Sequence, residues 1–238
     1  MIMKKTINRK LRAFIPQHIS NKIVLAVLKI LSKLCCVPQS VISSNAAHNS
    51  KMLLNRNLYN ADCYIENQSQ WSAVKFGTKY SMSYSGCEII AVHNALRALG
   101  KGLSVQCMVN LISCFEQDGA VLGGFFGTAP GAIEKYFREN GYAVTRTDSM
   151  DTELINNIGE RSDTIIVTAY NDKNDIMKQV HTVSITKEEG KTYAVHNAYY
   201  HVHGRYEAKK GYQNLQEAVN ALSNLQPASL CVIGISGR

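Results

Sequence analysis

The hydrophobic repeat of this chain changes period near residue 160, and no other feature constrains the fold as much. Upstream, apolar residues recur at helical spacing; downstream, they alternate. Residues 87–100, CEIIAVHNALRALG, follow Gly86 and set Ile89, Val92, Leu96 and Leu99 in one stripe, with Gly100 as the stop. Ser104 is placed to cap a second helix whose Val105, Met108, Val109, Ile112 and Phe115 face inward. Residues 119–127, GAVLGGFFG, read as a loop in which Gly123 and Gly124 supply flexibility. Thr128 is expected to cap a third helix ending at Gly141, and Asp151 a short fourth. Beyond the change of period, 164–170, 180–186, 191–197 and 229–235 read as strands, with a helix over 214–225. Helices first and an antiparallel sheet later make an α+β plan.

Charge divides the chain differently. Residues 1–61 hold ten Lys and Arg and no Asp or Glu, whereas the rest carries 16 basic against 18 acidic residues. The basic character therefore belongs to an N-terminal extension. A nucleic-acid binder would spread such charge over a folded face, so nucleic acid is not an expected partner. Residues 22–37 read as an amphipathic helix, with Lys22, Lys29 and Lys33 on one side and Ile23, Val27, Ile30, Leu31 and Leu34 on the other. Such a helix suits a membrane surface, a partner, a cover over a cleft or the body itself. Residues 38–60 read as a linker. The expected division is thus an extension over 1–60 and a domain over 61–238. No run of 18 uncharged apolar residues occurs, so no spanning helix is expected. The seven cysteines, at 35, 36, 63, 87, 107, 114 and 231, are odd in number and irregular in spacing. They point to a reducing, cytoplasmic compartment and to thiols rather than disulfides or zinc, and the basic helix adds the inner face of a membrane. His201 and His203 alternate, but two histidines do not make a metal site; neither a metal nor a cofactor is expected. Oligomeric state is not legible.

Chemistry concentrates at three positions. Cys87 opens the first helix of the body, where free N–H groups and a partial charge of about +0.5 favour a thiolate and an oxyanion. A thiolate nucleophile needs a base, and the base needs an orienting group. A hairpin loop of Glu188-Glu189-Gly190 sets His181 opposite Asn197, and the two share a face with Val183, Ile185, Tyr193 and Val195. His196 falls on the other face.

The fragments SYSGCEIIAVHNAL, GTAPGAIEKYFRENGY and VHTVSITKEEGKTYAVHNAYY, in that order over roughly residues 70–235, resemble the papain-like bacteriocin-processing cysteine peptidases and their stand-alone relatives. The resemblance implies a papain-like fold, with a helical part packed on a C-terminal antiparallel sheet. It implies a cytoplasmic bacterial enzyme acting on a peptide or protein, with Cys87 as nucleophile, His181 as base and acid, and Asn197 as orienter. Where the family carries a Gln about six residues before the Cys, this chain has Ser81, so the Ser81 or Ser83 hydroxyl is expected to join the Cys87 N–H at the oxyanion. The same residues would also serve acyl transfer to an amine or thiol. A binding module that keeps the fold without catalysis is the third reading.

Overall fold

A computed structural model describes residues 21–55, 58–171, 180–189, 191–222 and 229–237. Its centre is a six-stranded antiparallel sheet of β3 (Ala143–Thr147), β4 (Thr164–Tyr170), β5 (Val180–Lys187), β6 (Tyr193–His196), β9 (Lys209–Tyr212) and β10 (Ser229–Ser236). The strand order is β3-β10-β4-β5-β6-β9. The alternation over 164–170 and 180–186 is met by the register, in which Ala169 faces His181 and Ile165 faces Ile185. Two short pairs stand apart: β1 (Lys75–Phe76) with β2 (Tyr80–Ser81), and β7 (His201–Val202) with β8 (Arg205–Tyr206).

Eight helices are described. They are α1 (Asn21–Leu34), α2 (Gln39–Leu53), α3 (Met82–Ser85), α4 (Cys87–Ala98), α5 (Val105–Gln117), α6 (Pro130–Glu139), α7 (Thr152–Arg161) and α8 (Leu215–Asn220). Period two makes the sheet two-sided. Ile166, Cys231, Ile233 and Ile235 pack with α2, α4, α5 and α6, while Ile165, Val167, Val183, Ile185 and Val195 pack with α7 and α8. Sandwiched in this way, α4 is buried along its whole length from Cys87 to Leu96, not along one stripe.

The expected caps hold in part. Ser104 Oγ accepts from the Cys107 N–H at 3.2 Å, and Asp151 Oδ1 from the Leu154 N–H at 2.9 Å. Thr128 caps nothing; Ala129 holds that position and Pro130 begins α6, as proline does where no N–H partner is required. The helix expected over 214–225 is α8, which closes at Asn220. Residues 223–228 lie outside the described residues.

Residues 38–60 are not a linker, because most of them form α2. Its buried row is Ile42, Asn45, Asn49 and Leu53, half of it polar, so hydropathy alone did not mark it. The two amides find partners only in the tertiary structure. Asn49 brackets Lys75, accepting from its N–H at 2.8 Å and donating to its carbonyl at 2.9 Å. Asn45 donates to Gly77 O at 2.9 Å and to Glu116 Oε1 at 2.6 Å. Glu116 also accepts from the Gly77 N–H at 2.8 Å, and burial pushes its carboxyl up to about 7. Gly123 and Gly124 serve packing as much as flexibility. Gly77, at φ +67, comes so close that a Cβ there would stand 2.2 Å from Gly123 O.

Candidate active site

Cys87 begins α4, with Gly86 before it, and its side chain is buried. The helix packs across β4 and β5, and this brings the sulfur to the N-terminal end of β5. There the Thr182 N–H faces the sulfur and favours the thiolate, yet burial and the adjacent Glu88 charge outweigh it and hold the thiol well above its ordinary range. The thiol donates instead to Glu88 Oε2 at 3.3 Å.

Glu88 is fully buried, and burial raises its carboxyl to about 7. The Thr128 N–H and the Thr182 hydroxyl approach it and partly offset that rise, while Oε1 makes no hydrogen bond. Room for the carboxyl comes from Gly127, at φ +73, where a Cβ would stand 2.8 Å from Oε1. The sequence marks Glu88 as a first-turn residue that slightly opposes a thiolate at Cys87; its complete burial and its bond to the thiol are what the structure adds.

His181 stands at the start of β5. Its Nε2–H donates to the main-chain carbonyl of Asn197 at 2.8 Å. A carbonyl can only accept, so the neutral ring keeps its lone pair on Nδ1. Burial lowers the His181 pKa, and the Asn197 carbonyl opposes that shift, so the ring is neutral at pH 7. Strand alternation gives His181 the face of Val183 and Ile185, the side covered by α7 and α8. There it lines a cavity of about 270 Å³ together with Tyr170, Tyr199, Tyr200, Lys209 and Tyr212. The Tyr199 ring stacks on it, centroids 5.1 Å apart. Partial burial, and after it Cys87, push the Tyr199 hydroxyl up to about 12.

The hairpin register differs from the one expected. Ser184 pairs with His196 and Lys187 with Tyr193, the Glu188 N–H donates to Thr192 O at 2.9 Å, and Lys191 is left-handed at φ +66, so the turn sits one residue later than expected. Moving the loop by one residue moves every partner by two, so face parity survives and the pairing does not. His181 is diagonal to Asn197, not opposite it, and its stacking partner is Tyr199. Asn197 itself leaves the strand at φ +58, a conformation that asparagine tolerates. Its carboxamide turns from the imidazole to Gln68, accepting from the Gln68 N–H at 3.0 Å and donating to Gln68 Oε1 at 3.4 Å.

The structure therefore gathers Cys87, His181 and Asn197 at one end of the sheet, but no hydrogen bond joins the thiol to the imidazole. Ser81 and Ser83 precede α4 and bond each other, Oγ to Oγ at 2.8 Å. Gln68 is the unforeseen amide here. Both its hydrogens are engaged, on Met82 O at 2.9 Å and Ser83 O at 3.2 Å, so it holds the segment leading to Cys87. His196, on the opposite face as expected, donates through Nδ1 to Glu66 Oε1 at 2.6 Å and meets Thr186 Oγ1 through Nε2 at 2.9 Å. Glu66 Oε2 also accepts from the Asn197 N–H at 2.9 Å, so this network fixes the residue that fixes His181. His201 is in β7 and His203 in the following turn; among the described residues no three His, Cys, Asp or Glu gather as a metal site.

Comparison of the chain with protein-family models, with curated proteins and with solved structures gives no match.

Proposed function

We propose that this chain is a papain-like cysteine peptidase, with Cys87 as nucleophile, His181 as base and acid, and Asn197 as orienter. One observation carries the reading. A cysteine at a helix start lies against the residue following a histidine whose ring is held, in the tautomer a general base requires, by the third residue. The order of these residues along the chain, helix before sheet, supports the papain-like arrangement.

Burial raises the thiol and lowers the imidazole, which favours a neutral resting pair, and proton transfer then accompanies attack. His181 Nδ1 takes the thiol proton as sulfur bonds to the peptide carbonyl carbon. The oxyanion gathers at the Cys87 N–H, with the Ser81 or Ser83 hydroxyl as the further donor. Collapse breaks the C–N bond, and the imidazolium gives its proton to the departing amine. Water, deprotonated by the same ring, then splits the thioester and restores the thiol. Attack requires the thiol to leave Glu88 and meet the imidazole. A non-catalytic papain-like module is the second reading, favoured by the thiol's bond to Glu88.

The test is alkylation of the native protein over a range of pH, read by peptide mass spectrometry. Cys87 should react as a distinct site, and a His181→Ala variant should lose that reaction at neutral pH. Equal labelling of Cys87 in parent and variant would remove His181 as its base and leave the non-catalytic reading.

A further inference from the structure

Among the described residues, the outer face of α1 packs into no core. By the helical winding, Val24 and Leu28 turn inward and are buried against Val121, Phe126, Tyr170, Val180 and Leu230. Asn21 fixes the helix at its start, donating to Asp148 O at 3.0 Å and accepting from the Tyr170 hydroxyl at 2.9 Å. The helix is thus docked, and its orientation is settled. Turned outward is a second apolar row, Ile23, Val27, Ile30 and Leu34, exposed by 55, 46, 55 and 71%. Lys22, Lys29 and Lys33, all exposed, run along one flank of that row. Solvent-facing positions on a docked helix are ordinarily polar, so a continuous apolar row beside a row of lysines is a surface with a partner.

We infer that this face of α1 rests on an anionic phospholipid bilayer. The charge argument extends past the helix, because residues 1–20 add Lys4, Lys5, Arg9, Lys10 and Arg12 with no acidic residue. Anionic headgroups are the complement of such a run, and an apolar row with a lysine flank is the pattern of a helix lying in the interface. At 14 residues α1 is about 21 Å long, too short for a hydrocarbon core of about 30 Å. No single described helix is long and apolar enough to cross a membrane; α1 and α2 pass that test only as a pair bent by 96°. The buried asparagines of α2 belong to the protein core, so the pair does not span.

Flotation of the full chain on lipid vesicles tests this. The parent should float with vesicles containing phosphatidylglycerol, stay behind with phosphatidylcholine alone, and be released by high salt. A variant with Ile23→Ser, Val27→Ser, Ile30→Ser and Leu34→Ser changes exposed positions, so its circular-dichroism melt should match the parent, and its vesicle partition should fall by about 100-fold or more. Equal flotation of parent and variant, or no flotation of the parent, overturns the proposal. So does a parent that sediments as a dimer where the variant is monomeric, for then a second copy covers the row.

Discussion

Glu88 shows how one side chain sets the chemistry of its neighbour. Its carboxyl accepts the Cys87 thiol, and after burial it is the largest influence holding that thiol protonated. Replacing it with an amide of the same shape removes the opposing charge. Glu88→Gln is therefore expected to lower the Cys87 pKa, so that the variant alkylates faster than the parent at neutral pH. An unchanged labelling profile would mean that burial alone governs the sulfur. The residues around His181 carry a related signature. Asn197, whose carbonyl meets the His181 ring, and Tyr199, stacked on that ring, both adopt positive φ, at 58 and 53°, each at a cost of about 1 kcal/mol. Strain gathered in one short segment beside a histidine is what a constrained site displays, and hydropathy patterning does not reveal it.

At the scale of elements, α2 and the β5–β6 hairpin are where local reading and tertiary structure part. The buried row of α2 sets two amides between two apolar side chains, and the amides act as apolar residues do only because β1, Gly77 and Glu116 satisfy them. Asn45→Ala would leave Glu116 and the Gly77 carbonyl short of a donor, and is expected to cost about 2–4 kcal/mol in urea unfolding. A loss below about 0.5 kcal/mol would show that water replaces the amide. In the hairpin, Lys191 holds the left-handed position that glycine fills at least cost. Lys191→Gly should raise stability by about 0.5–1 kcal/mol by relieving that strain. A decrease would mean that the side chain contributes more than the backbone loses.

Across the whole molecule, buried groups oppose one another in the response to pH: burial raises Glu88 and Glu116, while His93, lowered to about 4, and His181, also lowered, add stability as pH rises through 6.5. Glu88 and Glu116 both have folded values of about 7, above the ordinary 4.5. A raised carboxyl stabilises the fold while protonated, so its contribution is full below 4.5 and is lost as pH rises through 7. Thermal unfolding should therefore occur at lower temperature at pH 8 than at pH 5.5. The loss should be roughly 3 kcal/mol per carboxyl at most, and Glu88→Gln with Glu116→Gln should flatten it. A melting temperature that rises over this interval, equally in parent and double variant, would show that the buried histidines outweigh both carboxyls. The sequence by itself determined the α+β class, the helix that begins at Cys87, the strand that carries His181, the strand that ends just before Asn197, and the basic character of the first 61 residues. These follow from periodicity and composition, which are properties of neighbours along the chain. Tertiary structure alone decided that Glu88 holds the thiol, that Asn197 meets His181 through its carbonyl, and that α2 joins the core. The last two depend on buried polar groups finding partners across a long sequence separation, which no local pattern encodes, and Glu88 holds the adjacent thiol because the tertiary structure buries both side chains together.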